Sequence, residues 1–389
     1  MEGKQMNDVK KEKINIKDVV RVADKYYQLV LKPDGNQEWI LRDKMELKQD
    51  GCILSNVPKY LGWTVKHNCI NYQQEIDGWL NLSAPPKWEP IEGEFPTIEK
   101  LFSHIFGEQL QLGYDRYSLL IRKPEQLQPI LVLTSKEQGT GKTTLLKFDS
   151  LLFGTNAVIL NINQYCQQFN GLYASKITIG IDETVISESF IKERLKQDST
   201  ANTIQLRKMH SEHVSIPFFG KFTLCTNRET DFARLEEEDM RFWVRKVGKI
   251  ENFYADFDKK IEKEIPAFLH FVMNREMSVP KPLSRQWFSK EQLYTEALGN
   301  VLRESRSKLA KDIEVIVKEK ISELNRDLYI TTSEFRDLLG NKYSISDISK
   351  CLRQEMGIPT LKQMRYHNIY DGSKNGRPYY FPKNFVTEE

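Results

Sequence analysis

The chain is short of nearly everything that marks a secreted or membrane protein. Its five cysteines, Cys52, Cys69, Cys166, Cys225 and Cys351, are scattered through 389 residues. None forms a Cys-x-x-Cys pair or has a histidine at zinc spacing, which argues against a disulfide framework or a zinc site. They read as reduced thiols, and the expected location is cytoplasmic. No apolar run is long enough to cross a bilayer, so no membrane association is expected. Met1–Lys10 also lacks the apolar core of a signal peptide. Charge of one sign is scarce as well: the net value is +3, which permits nucleic acid as a partner without demanding it. Internal repeats are absent.

What is present is concentrated in Leu131-Val-Leu-Thr-Ser-Lys-Glu-Gln-Gly-Thr-Gly-Lys-Thr-Thr144. An apolar strand runs into a glycine-rich loop and then into the start of a helix. Backbone N–H groups of such a loop can wrap a polyphosphate, and the helix N-terminus adds a favourable dipole. The loop points to a nucleoside triphosphate bound by Gly139, Thr140, Gly141, Lys142, Thr143 and Thr144. Lys142 would reach the β- and γ-phosphates and the Thr143 hydroxyl would hold Mg²⁺. Lys136 stands where the usual pattern has its first glycine.

Three later segments could complete a hydrolytic site. Lys176-Ile-Thr-Ile-Gly-Ile-Asp-Glu183 is an apolar strand closed by two carboxylates, suited to Asp182 on Mg²⁺ and Glu183 polarising a water. Acidic residues also close many strands for no catalytic reason. Lys221-Phe-Thr-Leu-Cys-Thr-Asn227 ends in an amide that could orient the lytic water or touch the γ-phosphate, although asparagine is a frequent turn former. Arg241, in Asp239-Met-Arg-Phe-Trp-Val-Arg245, begins a further strand and could act on a neighbouring subunit's nucleotide. A surface ion pair with the acidic run 236–239 is the alternative.

Along the chain, residues 1–13 read as a disordered tail and 14–82 as a mixed α+β region. There Tyr26–Leu31 and Glu38–Leu41 flank the hairpin signal Pro33-Asp-Gly35. Residues 83–128 read as a proline-bearing linker with a helical stretch from Thr97 to Ile121, 129–250 as an α/β core, and 251–318 as helical, including Lys290–Val317. In 319–389 two helices, Thr332–Leu339 and Ser344–Glu355, precede strands Arg365–Tyr370 and Arg377–Phe381 around a turn at Asp371–Gly376. That pattern suggests a winged helix.

The order strand–P-loop, strand–Asp-Glu, strand–Asn, then Arg resembles the superfamily 3 helicases, best over Pro86–Lys249. These are ring-forming AAA+ motors of small DNA viruses, phages, plasmids and integrated elements, and the likeness is to the primase-associated type. The resemblance implies an AAA+ P-loop ATPase core, with a mixed N-terminal region and a C-terminal winged helix. It implies ATP and Mg²⁺ as cofactors, a homohexamer as the working form, and single-stranded and forked DNA as partners. It places Lys142, Glu183, Asn227 and Arg241 in catalysis, with Arg245 the fallback for Arg241 and with Thr143 and Asp182 on the metal. Between Asp182 and Asn227 the family carries a DNA-gripping hairpin. Thr203–Ile216 fills that slot, with Arg207, Lys208 and His210 at its tip. Lys374 and Arg377 are candidate DNA contacts of the winged helix, alongside Arg353, Lys362 and Arg365. No primase site is found in the N-terminal region, so a primase or polymerase would be a separate chain. The expected function is ATP-dependent DNA unwinding in replication of a phage, plasmid or mobile element. The alternative is an ATP-controlled initiator that does not unwind.

Overall fold

The computed structural model describes residues 18–32, 37–68, 70–183, 186, 189–207, 213–236, 241–250, 257–281, 284–370 and 372–386. The expected tail, the Pro33–Gly35 turn and the hairpin tip residues Lys208 and His210 lie outside them. The chain divides into two compact units, Met1–Val301 and Leu302–Glu389.

The first unit opens with a small sheet of order β3-β2-β1-β4. It comprises β1 (Val19–Val22), β2 (Lys25–Leu31), β3 (Gln37–Arg42) and β4 (Lys59–Tyr60), with α1 (Lys44–Gln49) between β3 and β4. The β2–β3 hairpin pairs Leu31 with Gln37 and Tyr26 with Arg42. Asp43 caps α1, accepting hydrogen bonds from Met45 N and Glu46 N. Strands β5 (Trp63–Thr64), β6 (Glu75–Ile76) and β7 (Trp79–Asn81) form a second sheet, and the proline-bearing stretch after it runs without regular structure to Phe95.

Two helices follow where one was expected. α2 (Pro96–Phe106) carries Ile98, Leu101, Phe102, Ile105 and Phe106 on one buried face and has Pro96 in its first turn. Its N-terminus is capped from a distance: Glu264 accepts hydrogen bonds from Thr97 N at 2.8 Å and Ile98 N at 3.0 Å. Gly107, at φ +48° and ψ −123°, then breaks the helix, because that backbone conformation is open only to glycine. α3 (Leu110–Arg122) resumes after it.

The core is a five-stranded parallel sheet of order β14-β8-β13-β10-β9. Its strands are β8 (Ile130–Thr134), β9 (Ala157–Asn161), β10 (Thr178–Asp182), β13 (Lys221–Thr226) and β14 (Phe242–Lys246). Strands β8 and β13 are buried at every position, as expected of strands covered on both faces. Helices α4 (Lys142–Phe153), α5 (Ile162–Cys166) and α6 (Ser189–Thr200) alternate with them, and the hairpin β11 (Thr203–Leu206)–β12 (Val214–Pro217) precedes β13. The Tyr114–Tyr117 run of α3 underpins this sheet. Fully buried Arg116 donates to the carbonyls of Pro129 (3.1 Å) and Phe222 (3.2 Å), tying the entries of β8 and β13 together. Its neighbour Asp115, also fully buried, pairs with Arg275 and accepts from Ser278 N.

α7 (Phe257–Asn274) packs against α2 and α3. The expected helix Lys290–Val317 is three pieces: α8 (Lys290–Leu293), α9 (Glu296–Ser305) and α10 (Lys308–Leu324). Thr295, whose hydroxyl accepts from Leu298 N at 3.0 Å, and Ser307, which caps α10 through Ala310 N, start new helices and break the run.

In the second unit, α10 is followed by β15 (Leu328–Ile330), α11 (Thr332–Leu338) and α12 (Ile345–Lys350), which continues as a π-helical turn over Cys351–Glu355. The expected strand pairing is shifted. β16 (Met364–His367) pairs with β17 (Ser373–Gly376), which had read as turn, and β18 (Tyr379–Phe381) pairs with β15. The true turn is set by Asn368, whose Oδ1 accepts from Tyr370 N (3.0 Å) and Gly372 N (2.8 Å).

Two predictions concern stability. Asp115→Ala leaves Arg275 without its buried counter-charge and should destabilise the first unit by about 3 kcal/mol, measured as a lower urea midpoint. His67 is buried beside Lys221 and Lys176, and burial first, then those cations, lower its pKa from 6.5 to about 3. The native state therefore holds it neutral while the unfolded chain protonates, so stability is lost as pH falls below 6.5. Between pH 7.5 and 5 the contribution is about 2 kcal/mol. His67→Phe should flatten the melting temperature against pH over that window, and an unchanged slope would assign it to other groups.

Candidate nucleotide site

The site is built where β8, β10 and β13 end. Because these strands are parallel and in register, their C-terminal residues Thr134, Asp182 and Thr226 reach the same edge of the sheet. A cleft of about 360 Å³ opens there, lined by the 137–144 loop, Asp182, Glu183, Cys225 and Asn227. Gly139 (φ +70°) and Gly141 (φ +83°) take left-handed conformations that favour glycine. A Cβ on Gly141 would also lie 2.5 Å from Ile250 Cδ1. Lys136 takes an ordinary negative φ, so the absent first glycine costs no backbone strain. Its N–H is accepted by Glu229 Oε1 at 3.3 Å, and the other oxygen of Glu229 pairs with Lys246 at 3.1 Å.

Lys142 opens α4 and is largely buried. Its Nζ donates to Ser135 O and Thr140 Oγ1, both at 3.3 Å, and burial lowers its pKa against the pull of Cys225, Asp182 and Glu229. The Thr143 hydroxyl donates to Asp182 Oδ2 at 3.0 Å, bringing together two oxygens suited to a hard cation. Glu183 follows at φ +52°, a strained conformation for a non-glycine residue, with its N–H on Asp182 Oδ1 at 3.0 Å. Asn227 is exposed just beyond β13, the strand lying between β8 and β10. Thr144 lines the same cleft from the first turn of α4. Burial raises the Cys225 thiol well above its usual range, so it sits in the wall as an uncharged group.

Other expected residues lie elsewhere. Arg241 stands at the start of β14, its carbonyl accepting from Ile130 N at 2.6 Å. It is thus at the opposite end of the sheet from the cleft, roughly 16 Å away at 3.3 Å per residue. Arg245 points inward, pairing with Glu108 through both its NH1 and NH2 groups, and is only 6% exposed. Arg207 is exposed at the end of β11. Lys374 lies on β17, half-exposed and 3.5 Å from Glu334 Oε1, while Arg377 is exposed after that strand. Glu334 is nearly buried and accepts from Thr331 N at 2.8 Å, completing the capping box of α11.

Residues not foreseen in the sequence hold the loop from behind. His104 Nε2, on α2, is 3.1 Å from both Thr140 O and Gly248 O. Ile250 N donates to Gly139 O at 3.2 Å. His104 and Ile250 lie far from the loop in sequence, and no local signal marks them. His104→Ala should remove the side-chain donor to Thr140 O and weaken nucleotide binding about fivefold, the worth of one hydrogen bond. His104→Gln, which can still donate, should recover most of that loss in a titration with a fluorescent nucleotide.

Comparison with known proteins places these observations. A family of unknown function, DUF5906, matches residues 133–245, which span the strands and loops of the cleft. No curated protein matches. The apo structure of the NrS-1 C-terminal region (305–718) is similar at TM-score 0.66 and 16% identity, covering 95% of this chain and 99% of that one. A second structure of that region, its A form, gives TM-score 0.65 and 16% identity over 94% of this chain and 96% of that one. A structure described as "SCCmec type IV Cch - active helicase" aligns at TM-score 0.41 and 12% identity, over 95% of this chain and 93% of that one, too weakly to carry an argument. Among the described residues no helix is long and apolar enough to cross a membrane. The chain has the fold of the NrS-1 C-terminal region along nearly its whole length.

Proposed function

We propose that the chain is an ATP-dependent DNA helicase of the superfamily 3 type, an AAA+ motor serving replication of a phage, plasmid or mobile element. One observation carries the reading: the sheet order sets Asn227 between the Lys142 loop and the Asp182–Glu183 pair, all facing one cleft. The loop suits a nucleoside triphosphate. Lys142 Nζ makes two long hydrogen bonds that phosphate oxygens can replace, and Thr143 with Asp182 offers adjacent oxygens for Mg²⁺. When bound, Mg²⁺ would neutralise charge on the phosphates.

Each residue then has a task. The amides of Gly139 to Thr144 cradle the phosphates, and Lys142 adds a fixed charge. Glu183 takes a proton from the attacking water, and Asn227 orients that water. Arg241, at the far end of the sheet, serves a neighbouring subunit's site in a ring, taken as a hexamer. Arg207, with Lys208 and His210, grips single-stranded DNA through its phosphates. The second unit acts as a winged helix on forked or duplex DNA, with Arg377 freer than Lys374 to reach phosphates. Priming or synthesis falls to a separate primase or polymerase.

The exposed Arg207 and the basic second unit would equally serve an ATP-controlled initiator, which would hydrolyse ATP without displacing a strand. ATP turnover with and without single-stranded DNA, beside strand displacement on forks of each tail polarity, separates the two. Lys142→Ala should abolish binding, while Glu183→Gln should retain it and lower turnover at least about 100-fold. Arg241→Ala should be inactive alone yet regain turnover when mixed with Glu183→Gln subunits bearing the arginine. Absence of recovery would remove action in trans.

A further inference from the structure

The β11–β12 hairpin does not stand unsupported. Along the outer edge of β11, Asn170 takes the place of a neighbouring strand. Its Nδ2 donates to Gln205 O and its Oδ1 accepts from Arg207 N, both at 2.8 Å. These are the two bonds that a paired strand residue would supply. They come from a side chain only 5% exposed, on the loop between α5 and β10. Asn170 is itself fixed, because its carbonyl accepts from Tyr173 N (3.0 Å) and Ala174 N (2.9 Å).

The other side of the hairpin is seated on the N-terminal sheets. Leu206 and Ile216 share one buried cluster with Val22, Trp63, Val65 and Leu80, and β5 lies against β12. Tyr27 meets Trp63 edge-on at 4.9 Å, stiffening that seat. At the hairpin's base Phe218 N donates to Asn202 O at 2.9 Å. An isolated two-stranded hairpin is marginal in water. This one is gripped on an edge and a face up to Arg207, where the basic segment begins.

We propose that residues 18–82 are the seat of this hairpin, and that Asn170 is the positioning residue that fixes where it leaves that seat. Arg207, exposed at the end of β11, is thereby presented to single-stranded DNA in a set direction. The inference rests on the DNA-gripping reading of the hairpin. Losing the Asn170 amide releases Gln205 O and Arg207 N–H, and the arm frays just below its contacts.

The test uses the full chain and an oligothymidylate, comparing ATP turnover with and without DNA for wild type, Lys208→Ala, Asn170→Ala and Asn170→Gln. Asn170→Ala should keep basal turnover and the KM for ATP within about twofold and lose at least about fivefold in DNA stimulation, the worth of one of its two hydrogen bonds. Asn170→Gln keeps the amide donor and acceptor one methylene further out and should fall between; it carries the test if Asn170→Ala does not fold by thermal melt. Stimulation in the Asn170 variants equal to wild type overturns the proposal, as does a parallel fall in basal and stimulated turnover. Stimulation that depends on Lys208 but not on Asn170 removes this inference alone. A wild type that DNA does not stimulate removes the gripping reading and this inference with it.

Discussion

The first unit's site depends on how three successive peptide planes of the phosphate loop are held. A trans peptide points its C=O and N–H in opposite directions. Whatever fixes the carbonyls of Gly139, Thr140 and Gly141 therefore aims the N–H groups of Thr140, Gly141 and Lys142. Each carbonyl has a donor outside the cleft: Ile250 N, His104 Nε2 and Leu145 N respectively. Only the last belongs to the helix the loop precedes. The other two arrive from α2 and from the segment after β14, so the loop is shaped by distant elements whose placement depends on the rest of the core.

That dependence explains the investment in buried polar contacts around α2 and α3. Glu264 satisfies the N–H groups at the start of α2, and Arg116 ties the starts of β8 and β13. Asp149, burial raising its pKa to about 6, accepts from Tyr117 OH at 2.6 Å and joins α3 to α4. None of these groups reaches the cleft. Together they fix α2 against the sheet, and α2 brings His104 to the loop. Lys136 becomes intelligible in the same terms. With an ordinary φ at that position, the loop needs glycine only at 139 and 141, and Glu229 takes the Lys136 N–H.

The parts legible in the sequence were those with a local cause. The strand before Lys142, its two glycines, and the apolar strands ending at Asp182 and Thr226 each follow from patterns a few residues long, and the sheet assembles them around one cleft. Other features depended on distant partners. The helical run from Thr97 conceals a break at Gly107, because glycine within a helical pattern is ambiguous until its φ is known. The strand at Ser373–Gly376 was hidden by turn-forming residues; Asn368 sets the turn earlier, and β18 finds its partner in β15. The N-terminal region shows no primase-type arrangement in sequence, and its packing against the hairpin could not be read from either segment alone. His104 and Glu229 are ordinary surface residues by sequence, since nothing local distinguishes a histidine that meets a carbonyl 36 residues away.

The position of Arg241 is a matter of topology rather than of local chemistry. In a parallel sheet every strand starts at one edge and ends at the other, so a residue preceding β14 cannot lie beside residues that follow β8, β10 and β13. The chain's own Arg241 is therefore separated from its own cleft by the length of a strand. Arg245, which follows the strand to the correct edge, is consumed by Glu108, Gln109 and the carbonyl of Ile105. If hydrolysis here uses a guanidinium to offset phosphoryl charge, neither the start nor the end of β14 can supply it in cis. The proposed ring resolves this, since stacking subunits around an axis can bring the starting edge of one sheet to the cleft of the next. An assembly requirement would then be written into the strand order.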